Sequence, residues 1–556
     1  MRAACLINDS RGLHGLTNRP GSPKNAPLMT TKTKWALGAA VLAIIFILRL
    51  PAFWTPILDI DESQFAGFAH VLLKGGLPYV NSLDTKPLGI YYFFAAIFWV
   101  FGKNDMIAVH IATALWVGLT ALFCYRIAAK IYSPRAGIIA ALFYAIFTTT
   151  YIPKFISTSI IVLLVLPLTM SIDLLLSWEA TRRRRFIFLS GLFWGIACLF
   201  KYQAGINLLV VGIYLLAFRP LYLKRSLASA KIKPFLLFML GGALVGVLFM
   251  LHLMYLGVWD EFIFWSFKGS IAYIESGSNV FNFWIKLTTR GGAIIASAFL
   301  LWYFALRRSG HLVKDLFTST RHRRLKCEEY LVLIWFILSI IPVCMGGRFY
   351  GHYFLQLYPP LCILAAGSAM RFFAWLRAGE ATRARQWAYG LFVLGLLVPA
   401  IVFFGVRLMQ DQILKAIGEE NPKDYRPIAE YVKDRTEDGD HIFVWGFATP
   451  IYYFSDRLPA SRFLWCDWMT GRVAGTRAFD EFFDTSPFIT RGSWDYLFED
   501  LKRTKPIYFV DTSPGNYHGY GPYPVTKYPR LKDWLDRYYE LETRVKGADL
   551  YRRMEH

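Results

Sequence analysis

Two short polar stretches sit between apolar runs near the start of the chain: Asp59-Ile60-Asp61-Glu62 and Asp84-Thr85-Lys86-Pro87. Charged side chains beside a bilayer are expensive, and where they persist they usually serve a site. A carboxylate can take the proton of an attacking hydroxyl. An ammonium can hold a phosphate whose charge grows as its bond to a sugar breaks. Together they suit transfer of a group from a lipid phosphate. More polar residues recur at later breaks in the apolar pattern. Lys201-Tyr202-Gln203 forms one set. Trp259, Asp260, Glu261, Trp265, Lys268, Tyr273 and Glu275 form a second, and Arg348-Phe349-Tyr350-Gly351-His352-Tyr353 a third. There is no Walker-type loop, no His-Glu-x-x-His and no Gly-x-Ser-x-Gly, so ATPase, zinc protease and serine hydrolase readings lack support.

The elements that must position these residues are apolar helices. Of 556 residues, 55% are hydrophobic and 17% aromatic, and mean hydropathy is +0.37. Runs of about 15–24 apolar residues indicate a polytopic α-helical membrane protein. The pattern predicts about eleven spans, up to thirteen: 35–53, 106–125, 136–152, 155–178, 186–200, 203–218, 234–257, 291–306, 329–346, 353–370 and 386–406. The net charge of +22 does not point to nucleic acid, because the cations cluster in alternate short loops. One set of loops holds Arg126, Lys130 and Arg135; Arg182 to Arg185; Lys224 and Arg225; Arg321 to Lys326; and Arg377 to Arg385. The other set holds few, among them Lys74, Lys86, Lys201 and Arg348. The rich set is cytoplasmic by the positive-inside rule.

That assignment puts the N-terminus in the cytoplasm and every candidate polar residue outside. It also makes 88–101 an amphipathic segment along the outer membrane face, within a first outer loop of 54–105. Residues 1–34 read as a disordered basic N-terminus, and the run from Trp35 as an anchor with no cleavage pattern. Residues 407–556 read as an extracytoplasmic α/β domain. Helix is expected at Pro427–Thr436, within Arg491–Lys505 and at Leu531–Tyr539, and strand at His441–Val444 and Ile507–Val510. The seven cysteines show no disulfide or metal spacing.

Four motifs recur in order: Asp61-Glu62 after the first span, Lys86-Pro87, Gly195 through Lys201, and Tyr353-Phe354-Leu355-Gln356-Leu357-Tyr358-Pro359-Pro360. With them the chain resembles the polyprenyl-phosphate-sugar-dependent GT-C glycosyltransferases. Within these it is nearest the aminoarabinose transferase and protein O-mannosyltransferase superfamily. The resemblance implies inverting transfer of one sugar from a polyprenyl phosphate to an envelope glycan, lipid or protein, outside the cytoplasmic membrane. It makes Asp61 the base or acceptor-positioning group, with Asp59 and Glu62 assisting. It makes Lys86, Lys201 and Tyr353 donor-phosphate contacts, and Arg348 and His352 join them as phosphate holder and support. A divalent cation on Asp59, Asp61 and Glu62 is admitted by the pattern. Two departures bear on this: Thr85 stands where aminoarabinose transferases often carry Glu, and Ser157-Thr158-Ser159 where many relatives have an acidic residue.

Other readings stay open at this stage. Lys201 also reads as a lysine snorkelling from a long helix, and Arg348 as an ordinary loop cation. Trp259, Trp265, Tyr273 and Trp284 read as an interfacial aromatic belt. A lipid-linked sugar transporter or flippase is one alternative function, and an oligosaccharide ligase another.

Overall fold

The computed structural model describes residues 30–102, 105–150, 155–218, 228–268, 280–318, 327–378, 382–416, 424–472 and 483–555. Lys154, Tyr273, Glu275 and residues 1–29 of the expected N-terminal tail lie outside them.

Helix starts follow local capping chemistry. Asp105 accepts from the Ala108 amide at 2.9 Å and opens the Met106–Ile131 helix. Ser133 accepts from Ala136 N, with Pro134 as the first helical residue, and opens Pro134–Phe147. Ser159 caps Ile160–Thr181. In each case a side-chain oxygen satisfies an amide that the first turn leaves without a partner.

Among the described residues, six helices are long and apolar enough to cross a membrane: Met106–Ile131, Ile160–Thr181, Ile232–Tyr255, Cys327–Cys344, Gly351–Arg377 and Arg383–Gly405. A bent pair, Phe283–Ser297 and Phe299–Thr318 at 96°, makes up to seven. About eleven were expected, and the rest are shorter. The remaining apolar runs form shorter helices, Trp35–Leu48, Gly89–Phe101, Pro134–Phe147 and Tyr202–Phe218, below the roughly 20 residues a span needs. Polar breaks end them early: the Pro134–Phe147 helix stops at a Thr148–Thr150 turn, and Arg184–Cys198 stops before Lys201. The last long helix runs on to Ala416, past the boundary expected at 406.

Glycine permits close helix contact. The Arg184–Cys198 and Ala228–Tyr255 helices meet so tightly that a Cβ at Gly191 would lie 1.8 Å from the Phe238 carbonyl. Buried charge is paired. Asp173, fully buried, accepts from Arg126 at 2.9 Å and from Lys130 at 2.6 Å. Loop cations read as topology signals therefore also fasten two helices together.

After the helices comes a five-stranded sheet in the order β2-β1-β3-β5-β4. Its strands are β1 (His441–Trp445), β2 (Leu458–Pro459), β3 (Tyr508–Asp511), β4 (Tyr539–Val545) and β5 (Ala548–Arg553). β1 runs parallel to β2 and β3, with Val444 opposite Val510, and β5 is antiparallel to β3 and β4. β1 and β3 are hydrophobic without alternation because both faces are covered. Ile442 and Val444 join a core with Ile428 and Val432 of the Arg426–Lys433 helix. Phe443 and Trp445 join the core that continues into the helical bundle. The expected helices and central strands are present, and the C-terminal hairpin is an addition. Its turn, Lys546-Gly547, has φ of 48° and 84°, the left-handed pair that a two-residue hairpin favours.

Candidate functional site

Asp59 is extended (φ −142°, ψ 144°) and caps the Ile60–Leu73 helix, its carboxylate accepting from the Asp61 amide at 3.2 Å. Asp61 thus stands half-buried in the first turn, held by its own neighbour. Glu62 turns the other way and is fully buried. Its carboxylate accepts from Leu58 N at 2.8 Å and Thr158 N at 2.6 Å, and faces His110 Nε2 at 3.1 Å. His110 is anchored in turn, Nδ1 lying 2.6 Å from the Ala52 carbonyl. Glu62 therefore fastens the first loop to the Ser157–Ser159 stretch. With Glu62 turned inward, Asp59, Asp61 and Glu62 do not fit a shared cation. Among the described residues no three His, Cys, Asp or Glu side chains are placed to hold one.

Asp84 is buried and organises the second polar stretch. One carboxylate oxygen accepts from Lys86 Nζ at 2.7 Å and from the Tyr91 hydroxyl, and the other from Thr85 N at 2.6 Å. Tyr79 holds the Lys86 carbonyl at 2.9 Å. The Lys86 ammonium lies 5.7 Å from the centroid of Phe65, one turn along the helix from Asp61. It keeps about a third of its side chain exposed.

Lys201 occupies the break between the Arg184–Cys198 helix and the Tyr202–Gly205 turn. Gly89 N donates to Leu199 O at 2.8 Å, tying this break to the segment after Lys86. The Lys201 ammonium sits 4.1 Å over the Tyr353 ring. Burial pushes it down to about 7; the charge of Lys86 adds to that and the charge of Asp61 opposes it. The geometry thus brings Asp61, Lys86, Lys201 and Tyr353 together from four separate segments.

Arg348 and His352 stand to one side. Arg348 is buried, its carbonyl accepts from Arg290 Nη1 at 2.8 Å, and its charge and that of Arg290 both act on Lys286. The Arg290 guanidinium packs 5.4 Å over Tyr350. The His352 ring packs edge-on against Tyr353 at 4.7 Å and parallel to Tyr350 at 6.1 Å. A second cationic group therefore borders the aromatic turn. Arg348 belongs to it.

Beside Lys86 and Lys201 opens a nearly all-apolar groove of about 310 Å³. Pro87, Cys198, Leu199 and Tyr202 line one side, and Gly242, Gly246, Phe249 and Phe262 the other. Its walls include the residues directly after each lysine. Such a slot accepts a hydrocarbon chain whose charged head would lie at the two ammoniums. Sequence reasoning missed Asp84 and Tyr91 as organisers; the signal was an Asp two residues before the Lys. His110 carried no signal, being one polar residue in an apolar run.

Residues 85–255 match the family of dolichyl-phosphate-mannose-protein mannosyltransferases. The undecaprenyl phosphate-alpha-4-amino-4-deoxy-L-arabinose arabinosyl transferase of Aeromonas hydrophila is 25% identical over 388 residues, 67% of this chain and 66% of that protein. A second such transferase, from Pseudomonas fluorescens, is 32% identical over 124 residues, 20% of this chain and 22% of that protein. The chain thus spans just under two thirds, at most, of the length of these curated relatives. Among solved structures, ArnT from Cupriavidus metallidurans bound to undecaprenyl phosphate superposes with a TM-score of 0.56 at 15% identity, over 94% of this chain and 98% of that one. The oligosaccharyltransferase AglB from Archaeoglobus fulgidus, in complex with an inhibitory peptide and a dolichol-phosphate, gives 0.55 at 13% identity, over 94% and 75%. The chain is a multi-pass membrane protein with the GT-C fold.

Proposed function

We propose that the protein is an inverting glycosyltransferase that moves a single sugar from a polyprenyl phosphate to an envelope glycan, lipid or protein outside the cytoplasm. The observation that carries this is the meeting of Asp61, Lys86 and Lys201 next to an apolar groove whose walls include Pro87 and Tyr202. The lipid tail lies in the groove and its phosphate between the two ammoniums. As the glycosidic bond breaks, charge grows on that phosphate, and fixed cations in a partly dry site stabilise it. Asp61 takes the proton of the acceptor hydroxyl or orients the acceptor. Attack from the face opposite the phosphate inverts the anomeric carbon. The Tyr353 ring keeps the Lys201 ammonium in place. Arg348 and His352 act from the neighbouring cationic group. The positive-inside distribution of loop cations supports an outward-facing site, a cytoplasmic N-terminus and an outward sheet domain.

The test is transfer by purified, reconstituted protein from a panel of radiolabelled polyprenyl-phosphate monosaccharides to a membrane extract. Wild type is compared with Asp61→Asn. Label leaving one donor, and lost in the folded variant, is the expected result. No transfer from any donor removes the proposal.

A further inference from the structure

We infer that the sheet domain positions the two first-loop elements of the donor site, through Thr449 on Ser63 and through the Asp500–Arg462 pair on Leu83; the inference rests on the donor-site reading above. Ser63 lies two residues after Asp61 in the same helical turn. Ser63 and Thr449 are both fully buried. Ser63 Oγ donates to the Ile60 carbonyl at 2.7 Å, so its oxygen accepts from Thr449 Oγ1, also at 2.7 Å. Thr449 stands in the loop that leaves β1 and so fixes the turn carrying Asp61 from outside its own helix.

The second contact reaches Lys86. Leu83 N donates to the Arg462 carbonyl at 2.9 Å, and Leu83 precedes Asp84, which holds the Lys86 ammonium. Arg462 is itself tightly determined. Asp500, fully buried, accepts from Arg462 N at 2.9 Å, Nε at 2.9 Å and Nη2 at 3.0 Å, and from Ser461 Oγ at 3.3 Å. The Arg462 guanidinium packs 4.4 Å over the Tyr496 ring. A charged residue held by so many directional bonds has one conformation, and its carbonyl therefore has one direction.

The packing around these bonds agrees. A Cβ at Gly67, one turn after Ser63, would lie 2.7 Å from the Leu464 side chain. Trp265 packs edge-on against Phe463 and Trp468, and Phe262, three residues earlier, lines the groove. Three elements of the site therefore rest on one stretch of the sheet domain, 461–468. Small displacements of reacting groups are costly to rate, so such a support bears on catalysis as well as on folding.

The two contacts predict different kinetic losses. Thr449→Val loosens the Asp61 turn and lowers kcat about two- to tenfold, with little change in donor KM. Asp500→Asn loosens Arg462 and so Leu83, and raises donor KM by a similar factor. Thr449→Ser, which keeps the hydroxyl, restores kcat. Hydrogen–deuterium exchange on the full-length protein reads the positioning without any activity. Faster exchange is expected at 60–65 in Thr449→Val and at 82–88 in Asp500→Asn. Exchange unchanged in both peptides, with either variant folded as wild type, overturns the inference. So does a loss in which kcat and KM move together with the melting temperature and Thr449→Ser restores nothing. If wild type binds no undecaprenyl phosphate, the donor-site reading falls, while the exchange result still decides the positioning.

Discussion

Among the site residues Lys201 gives the sharpest test, because its charge is pH-dependent in the working range. Burial holds its ammonium at about 7, so it is charged below that pH and neutral above it. A phosphate bound beside it favours the charged form and raises the value in the complex. The free enzyme therefore loses donor affinity as pH rises through about 7, and kcat/KM falls there while kcat holds to higher pH. In Lys201→Arg the guanidinium stays charged, and the alkaline fall in kcat/KM disappears. A limb that does not move in this variant removes Lys201 from the phosphate site. Asp84 makes a different prediction. It accepts from the Lys86 ammonium and so fixes where that charge stands. Asp84→Asn is expected to raise donor KM about tenfold, while Tyr91→Phe, which leaves the charge pair, has a smaller effect. Equal donor KM in Asp84→Asn and wild type would show that Lys86 needs no anchor. The residue types of Asp61, Lys86, Lys201 and Tyr353 were legible in the sequence because charge or an aromatic stood out against apolar surroundings. The role of Glu62 was not. Polarity alone does not say which way a carboxylate turns, and the Thr158 amide that it holds lies nearly a hundred residues along.

At the scale of elements, the groove and the break beside it carry the lipid argument. The Gly-to-Lys break after Cys198 was visible in the sequence, since a lysine there interrupts an apolar run. The 96° bend between Ser297 and Phe299 was not, because no proline or charge marks it. Helix lengths were misjudged for a related reason: hydropathy continues through turns that hydrogen bonding ends. Two glycines separate packing from binding. Gly191→Ala drives a methyl into the Phe238 carbonyl and is expected to destabilise the protein by about 1–3 kcal/mol, read as a lower melting temperature. Gly246 lines the groove, and a Cβ there meets nothing within 4 Å. Gly246→Phe therefore fills the slot without straining the helices. Donor KM should rise for long polyprenyl chains and stay near wild type for a donor of one or two isoprene units. Equal effects on both chain lengths would place the tail elsewhere.

At the scale of the whole molecule, the argument turns on which side of the membrane each end lies. The α/β character of the tail was legible from its strand and helix patterns, but its contacts with the first loop were not, because they join Ser63 to Thr449 and Leu83 to Arg462 across nearly four hundred residues. Those contacts have a topological consequence: the sheet domain and the first loop must share one side of the membrane. A cytoplasmic N-terminus with the sheet domain outside requires an odd number of crossings. Because the first loop follows the Trp35–Leu48 helix, that helix must be one of the crossings. The cation-rich loops, including Arg182–Arg185 with its Arg182–Glu179 pair, then face the anionic inner leaflet. Reporter fusions decide the matter. Alkaline phosphatase joined after residue 555 should be active and a fluorescent protein at the same point dark, with the reverse for fusions after residue 183. Fluorescence at 555 would turn the site toward the cytoplasm. The donor sugar would then have to be presented on the inner leaflet, and the proposed direction of transfer would fall with the topology.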